Sequence, residues 1–138
     1  MKTISIGKQF SDDPSGRFYS DGNGSGEEFR EEILIPALRK HSHITVDIST
    51  DVEGYGSSFL SEAFGGLVKY GYFTADTLSQ ILTIKVSEDM IIYNFYKEKI
   101  LSYIKESNYD SEVYISTKKQ AIKDKVFHER LDYKSIIE

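Results

Sequence analysis

The stretch GYGSSFLSEAFGGLVKYG, residues 54–71, follows the run HITVDIS, residues 43–49, and together these two segments indicate the type of fold. Ile44, Val46 and Ile48 alternate with polar residues in the run, which predicts a central β-strand. Apolar residues in the longer stretch recur every three to four positions, which predicts a helix with one apolar face. They are Phe59, Leu60, Ala63, Phe64, Leu67 and Val68. Gly71 is a natural end for this helix.

Strand and helix patterns alternate on both sides of this unit. The predicted strands are an opening one holding Ile4 and Ile6, a short one at residues 17–20, ILTIKVS at residues 81–87 and EVYIS at residues 112–116. The predicted helices lie at residues 25–40, 88–106 and 117–131, in addition to the helix that begins near Ser57. This order predicts an α/β fold, with a largely parallel mixed β-sheet of four to five strands covered by about four helices.

Two details of the helices carry further expectations. Pro36 should kink or shorten the helix of residues 25–40, because proline cannot donate to the carbonyl four residues back. Gly65 and Gly66 each cost a helix about 1 kcal/mol relative to alanine, so we expect close packing against the sheet to offset them. The apolar face predicted for residues 88–106 consists of Ile92, Phe95, Tyr96, Ile100, Tyr103 and Ile104.

Length and composition indicate one domain over residues 1–138, with the C-terminal part, residues 107–138, carrying the weakest patterns. There is no cysteine, which excludes disulfides, thiolate metal sites and thiol nucleophiles. No run approaches the roughly 20 apolar residues that span a bilayer, and the N-terminus lacks the apolar block of a signal peptide. The expected location is the cytoplasm, with no membrane partner.

The formal net charge of −5 argues against a nucleic-acid partner. A basic segment, STKKQAIKDKVF at residues 116–127, carries four lysines and one aspartate. This segment could face a phosphate or an acidic partner. A solvated helix face is the favoured interpretation, since most charge runs are of that kind.

A glycine-rich loop, DGNGSG at residues 21–26, precedes the helix of residues 25–40. Backbone amides at a helix start can hold phosphate, so the loop is an alternative ligand site. Its residues would be Gly22, Asn23, Gly24, Ser25 and Gly26. The loop lacks the lysine of a P-loop, and Glu27, Glu28, Glu31 and Glu32 follow it. A flexible loop is favoured, with Ser25 three residues before Glu28 in the spacing of a capping box.

His41 and His43 flank Ser42 beside the start of the central strand. Alternate strand residues face the same way, so both imidazoles could reach one metal ion. Nothing nearby in sequence completes a ligand set, and an incidental surface pair is favoured. We expect no metal site and no cofactor.

Ser57 and Ser58 stand at the predicted start of the helix in residues 54–71. A hydrolase would need a base beside one of them, and although Asp47 and Asp51 are near in sequence, no histidine is. One serine is enough to cap the helix, and we assign that role to Ser57. Ser58 then projects from the first turn, where a phosphoryl group would meet a favourable helix dipole. On the residues alone, plain capping is the favoured interpretation of the serine pair.

Three segments of the chain resemble the STAS-like domain family of unknown function, which is named for its similarity to the sulfate transporter and anti-sigma-factor antagonist domain. They are SGEEFREEILIPAL, ITVDISTDVEGYGSSFLSEAFGGLV and ILTIKV, within residues 4–87. The resemblance implies a β-sheet packed on helices, with the serine motif at the start of the helix after the central strand.

In anti-sigma-factor antagonists, a serine at this point is phosphorylated by a partner kinase of the histidine-kinase-like ATPase type. The resemblance places that serine at Ser58, with Ser57 just before it. It implies a non-enzymatic regulatory module with a protein partner, for which a histidine-kinase-like ATPase is the leading candidate. The surface around the serines would include Glu53, Tyr55 and Gly56. The alternative remains a small-ligand or nucleotide-binding domain using the glycine-rich loop and the helix start at Ser57.

Overall fold

A parallel three-stranded sheet lies at the centre of the computed structural model, which describes residues 2–109 and 114–138. Its strands, in spatial order, are β1 (Lys2–Ser5), β2 (Ile44–Asp47) and β3 (Leu82–Lys85). Ile4 lies opposite Val46, which lies opposite Ile84, and all three side chains are buried. The prediction that residues 44–48 form the central strand is confirmed.

Helices cover the sheet, and two of the three long helical runs each contain a π-helical middle. Helix α1 covers residues 26–40 as Gly26–Glu28, Phe29–Leu34 and Ile35–Lys40, and α2 covers residues 57–69 as Ser57–Leu60, Ser61–Gly65 and Gly66–Lys69. The others are α3 (Ala75–Ile81), α4 (Asn94–Glu106), α5 (Lys118–Lys123) and α6 (Tyr133–Ile137). Shorter helical turns lie at Ile6–Phe10, Tyr19–Asp21 and Glu88–Tyr93. Within the described residues, no helix has the length and apolarity to cross a bilayer.

Helix α2 packs its apolar face into the core, as its spacing predicts. Phe59 and Phe64 are fully buried, and the rest of the predicted stripe is buried with them. The α1 helix crosses α2 closely at Gly26, where an added Cβ would lie 2.7 Å from the carbonyl oxygen of Phe59. Glycine is therefore required at the crossing of the two helices. Pro36 does not end α1, which continues to Lys40.

The two glycines inside α2 make room for neighbours other than the sheet, contrary to expectation. A Cβ on Gly66 would lie 2.4 Å from Arg30 Nη1, and one on Gly65 would lie 3.0 Å from Ser107 Oγ. The close packing that compensates for their low helix propensity is therefore against the buried Arg30 side chain and the C-terminal end of α4.

The prediction of a short strand at residues 17–20 is wrong. The chain forms a 3₁₀ turn at Tyr19–Asp21, because Asp21 Oδ2 accepts hydrogen bonds from the amides of Arg17 and Phe18, both at 2.9 Å. A local carboxylate thus satisfies the amides that would otherwise pair with a strand.

The prediction of four to five strands is not confirmed, since the described residues form three. In the strand predicted at residues 112–116, Glu112 and Val113 lie outside the described residues, and residues 114–116 are not a strand. The helix predicted at residues 117–131 is shorter, because α5 ends where Lys125 adopts a positive φ of 62°. Phe127 then turns back to pack edge-on against Tyr19, with ring centroids 4.8 Å apart.

The predicted helix at residues 88–106 is divided into a 3₁₀ turn and α4. Met90 has non-helical backbone angles, φ −125° and ψ 42°, and this breaks the apolar periodicity. Ile100 and Ile104 are buried as predicted, whereas Ile92 and Phe95 are 77% and 61% exposed. The prediction that Ile92 and Phe95 belong to the core face is therefore wrong.

Candidate functional site

The start of α2 places both candidate serines in its first turn. Gly56 is the N-cap residue, with φ −79° and ψ 147°, and no side chain caps this end of the helix. Its carbonyl accepts the amide of Leu60 at 3.2 Å. The prediction that Ser57 is the cap is therefore wrong, because Ser57 is already the first helical residue. Ser57 is exposed and Ser58 is half-buried.

Tyr55 anchors the loop between β2 and α2, residues 48–56, which we call the serine loop. Its hydroxyl donates to the carbonyl of Ile48 at 2.7 Å, and its ring stacks on Phe59 at 5.8 Å. The Tyr55 ring also meets Tyr96 of α4 edge-on, with centroids 5.3 Å apart. Burial raises the pKa of the Tyr55 phenol, so it stays neutral and donates. Tyr55, predicted as part of the contact surface, thus anchors the serine loop against α4.

Asp47, at the end of β2, organises the beginning of the same loop. Its Oδ1 accepts the amide of Ser49 at 2.9 Å, and its Oδ2 accepts the hydroxyl of Thr50 at 2.7 Å. Burial favours the neutral acid, but the hydrogen bonds from Thr50 and Ser49 outweigh it and lower the pKa of the Asp47 carboxyl. Asp47 therefore supports the loop as a carboxylate.

An open groove borders the serines on one side. Its lining consists of Gly16, Arg17, Phe18, Asp21, Gly56, Ser57 and Ser58. The positive group here is Arg17, whose Nη1 lies 3.4 Å from Glu62 Oε1. The Arg17 side chain is partly exposed, so it is accessible from the groove. Sequence reasoning missed Arg17, because nothing in its local pattern places it beside a helix that begins forty residues later.

A second pocket lies on the other side of Ser57, between α2 and α4. It is lined by Tyr55, Ser57, Leu60, Phe95, Tyr96, Lys99 and Tyr103. Lys99 Nζ lies 5.5 Å from the centroid of the Phe95 ring, in a cation–π contact. We call the first turn of α2, Ser57–Leu60, the serine turn. It separates a groove containing Arg17 from a pocket rich in aromatic residues. Of the other residues predicted here, Glu53 is exposed, and its amide donates to Asp12 O at 2.9 Å.

Backbone amides of the glycine-rich loop at residues 22–26 donate hydrogen bonds to other groups of the protein. The Gly24 amide donates to Glu28 Oε1 at 2.7 Å, and the Gly26 amide donates to Gly16 O at 3.1 Å. Ser25 Oγ accepts the amide of Glu28 at 3.1 Å, which confirms Ser25 as the cap of α1. Gly24, Ser25 and Gly26 are buried. These bonds leave the phosphate-binding alternative without the amides of Gly24 and Gly26.

The exposed side of this loop is also engaged. Asn23 pairs with the backbone of His128, donating from Nδ2 to its carbonyl at 2.8 Å and accepting its amide on Oδ1 at 3.0 Å. Gly22 adopts φ 107°, a conformation that favours glycine. The loop therefore supports the segment that follows α5 and is ordered by it.

The carboxylates at the start of α1 bind the C-terminal part of the chain. Glu27, which is fully buried, accepts the hydroxyl of Thr117 at 2.7 Å and also that of Tyr114. Glu28 Oε2 accepts the hydroxyl of Tyr133 at 2.6 Å. Glu32 pairs with Lys118 at 2.9 Å in the predicted basic segment. Lys118 thus serves an internal contact.

A buried ion pair joins α1 to α2 directly behind Arg17. Arg30 Nη1 lies 2.7 Å from Glu62 Oε2 and donates at 2.7 Å to the Glu62 carbonyl oxygen. Tyr70 donates its hydroxyl to the same Glu62 Oε2 at 2.9 Å. Glu62 therefore accepts from Arg30 inside the protein and from Arg17 at the edge of the groove.

The two histidines next to β2 face different partners. His41 Nε2 lies 2.7 Å from Ile137 O, and His43 Nε2 lies 2.8 Å from Thr83 Oγ1. Among the described residues, no cluster of three or more histidine, aspartate or glutamate side chains is arranged to hold a metal ion.

Residues 25–91 match the family model for a STAS-like domain of unknown function. Over this stretch the chain is similar to that family. This confirms the resemblance inferred from the sequence, and the match includes α1, β2, α2, α3 and β3 together with the serine turn. No curated protein and no solved structure matches the chain.

Proposed function

We propose that this protein is a non-enzymatic regulatory module that binds a protein partner through the serine turn of α2. The observation that carries the proposal is the position of Ser57 and Ser58 in the first helical turn, where Gly56 is the cap and no side chain caps the helix. The two hydroxyls border a groove on one side and an aromatic pocket on the other. Because neither serine caps the helix, contact with a partner is the role proposed for the two hydroxyls.

Ser58 is the proposed site of phosphorylation by a histidine-kinase-like ATPase partner. Its hydroxyl oxygen would attack the γ-phosphoryl group of ATP, with ADP and a proton released and the catalytic groups supplied by the partner. A phosphoryl group adds close to two negative charges and is favoured at a helix start. Arg17 lines the same groove and is a cation that would pair with it, in exchange for its 3.4 Å contact with Glu62.

The experiment uses the full chain and a purified candidate ATPase of the histidine-kinase-like type. Dissociation constants are measured by calorimetry for the parent, Ser58→Ala and Ser58→Asp, and intact mass after co-expression reports phosphorylation. Ser58→Asp should weaken the complex about tenfold or more, since an added charge in a desolvated interface is costly. Ser79→Asp, on the exposed surface of α3, is the matched control and should change the affinity less than about twofold.

Two results together would refute this proposal. The first is equal affinity of the partner for the parent and Ser58→Asp, and the second is an unmodified mass after co-expression with ATP present. Turnover of an ester or a nucleotide by the purified protein, lost in Ser58→Ala, would instead assign it an enzymatic role.

A further inference from the structure

Three large apolar side chains are exposed just before and within the first turn of α4. Ile91, Ile92 and Phe95 are 68%, 77% and 61% exposed, and we call them the 91–95 patch. Tyr93 between them is buried and donates its hydroxyl to the carbonyl of Val52 at 2.7 Å. The segment is thus fixed to the serine loop while its isoleucines face solvent. Adjacent exposed apolar side chains of this size are typical of binding surfaces.

The patch is continuous with the surface around the serines. Phe95 and Ser57 line the same pocket, together with Tyr96 and Lys99. Phe95 also contacts Tyr96 edge-on at 5.8 Å, and Tyr96 contacts Tyr55 of the serine loop. A partner that covers Ser57 and reaches α4 would therefore bury Phe95, the member of the 91–95 patch that lines this pocket.

The charge around the patch is mainly negative on the side of the loop before the serines, whereas Lys99 lies over the Phe95 ring on the α4 side. Residues 11–13, 51–56 and 86–96 contain six aspartates and glutamates and no lysine or arginine, on a chain with a net charge of −5. The six are Asp12, Asp13, Asp51, Glu53, Glu88 and Asp89, and all are exposed. Hydrogen bonds from the Glu53 amide to Asp12 O and from Tyr93 to Val52 O join the three segments. These three joined segments thus form an acidic edge beside the patch, and the lysines nearest to the patch in sequence are Lys85, Lys97 and Lys99.

We infer that the 91–95 patch is the docking site of a protein partner whose contact face is an apolar cluster rimmed by lysine and arginine. The inference rests on the proposed function, because it describes the chemistry of the partner at that same surface. The apolar side chains supply the area to be buried, and the carboxylates around them select the sign of the partner's rim. Nucleic acid and anionic lipid carry the wrong charge for this face.

The test uses the full ¹⁵N-labelled chain and a synthetic amphipathic helical peptide of leucine and lysine. Amide shifts should change at residues 91–96 and 51–58, and binding should weaken as salt is raised. The matched peptide with glutamate in place of lysine should bind at least about tenfold more weakly. The double variant Ile92→Ser with Phe95→Ser should also lose about tenfold or more in affinity for the lysine peptide.

Two triple variants separate a local rim from overall charge. Neutralising Asp51, Glu53 and Glu88 as D51N, E53Q and E88Q should weaken the lysine peptide about tenfold. Neutralising Asp76, Glu106 and Glu138, which are exposed elsewhere, alters the net charge equally and should have less than about a twofold effect. Equal loss in both triples, equal binding of both peptides, or shift changes away from the patch would each overturn the inference.

Failure of this inference is distinguishable from failure of the proposed function. If the ATPase partner still responds to Ser58→Asp while the lysine peptide does not bind at the patch, the docking chemistry is wrong and the regulated serine stands. If the peptide binds at the patch and the partner binds Ser58→Asp as tightly as the parent, the docking surface stands and the proposed regulation through Ser58 is wrong.

Discussion

Arg30 Nη1 of α1 lies 2.7 Å from Glu62 Oε2 of α2, and both side chains are buried. Burial opposes the charge of Arg30, but its contacts with Glu31 and Glu62 outweigh burial and raise the pKa of the guanidinium. The ring of Tyr70 stacks over the guanidinium carbon at 4.8 Å. The pair therefore fixes the two helices that frame the serine turn, and its other carboxylate oxygen contacts Arg17 in the groove.

Replacing Glu62 with glutamine should destabilise the protein by about 3 kcal/mol or more, because a buried guanidinium loses its main counter-charge. Urea denaturation measures the free energy of unfolding. Glu106→Gln, at the exposed end of α4, is the control and should stay within about 0.5 kcal/mol of the parent. Adding Arg30→Met to Glu62→Gln should recover part of the loss, and a strictly additive double variant would show that the two side chains are not coupled.

Replacing Phe64 with alanine should cost about 3–5 kcal/mol, because the ring is fully buried and its loss leaves a cavity. The matched control is Phe95→Ala, which removes an exposed ring and should cost less than about 1 kcal/mol. Thermal melts of the two variants should therefore differ widely. Similar melting temperatures for both would place Phe64 outside the core.

The helix caps differ in their contribution to stability. Ser25 accepts the amide of Glu28, and Thr74 accepts the amide of Thr77 at 3.1 Å at the start of α3. Alanine at either position should cost about 0.5–2 kcal/mol of unfolding free energy. Ser57→Ala should change it by less than about 0.5 kcal/mol, because Gly56 is the cap there. A loss at Ser57 as large as at Ser25 would contradict the observed helix start.

Asp47 should make the stability depend on acid pH. Its carboxyl pKa lies below the ordinary value of 3.8, so its contribution is fully present above that value and is lost as the pH falls through the lower folded pKa. The difference in unfolding free energy between the parent and Asp47→Asn should be largest at about pH 6 and shrink below about pH 4. Urea denaturation at a series of pH values measures this difference. A difference that does not vary with pH would mean that Asp47 has the same pKa in both states.

Local spacing in the sequence determined the parts of the fold that depend on neighbouring residues. The alternation around Val46 marked the central strand, and the three-to-four spacing around Phe64 marked α2. Ser25 was recognisable as a cap because its partner, Glu28, is three residues away. Burial of an apolar stripe and a bond within one helical turn are both readable at short range.

Contacts between residues far apart in the sequence depend on how the whole chain packs. Glu27 is buried, and its hydrogen-bond donor Thr117 lies ninety positions later. Arg17 lines the groove beside Ser57, which lies forty positions later. Residues 88–106 do not form one helix because the backbone breaks at Met90, which no periodicity reveals. The cap of α2 is Gly56, one residue before the pair of serines, because Ser57 is already the first helical residue. Side-chain type is local, but the position of the backbone that presents it is set by packing of the whole chain.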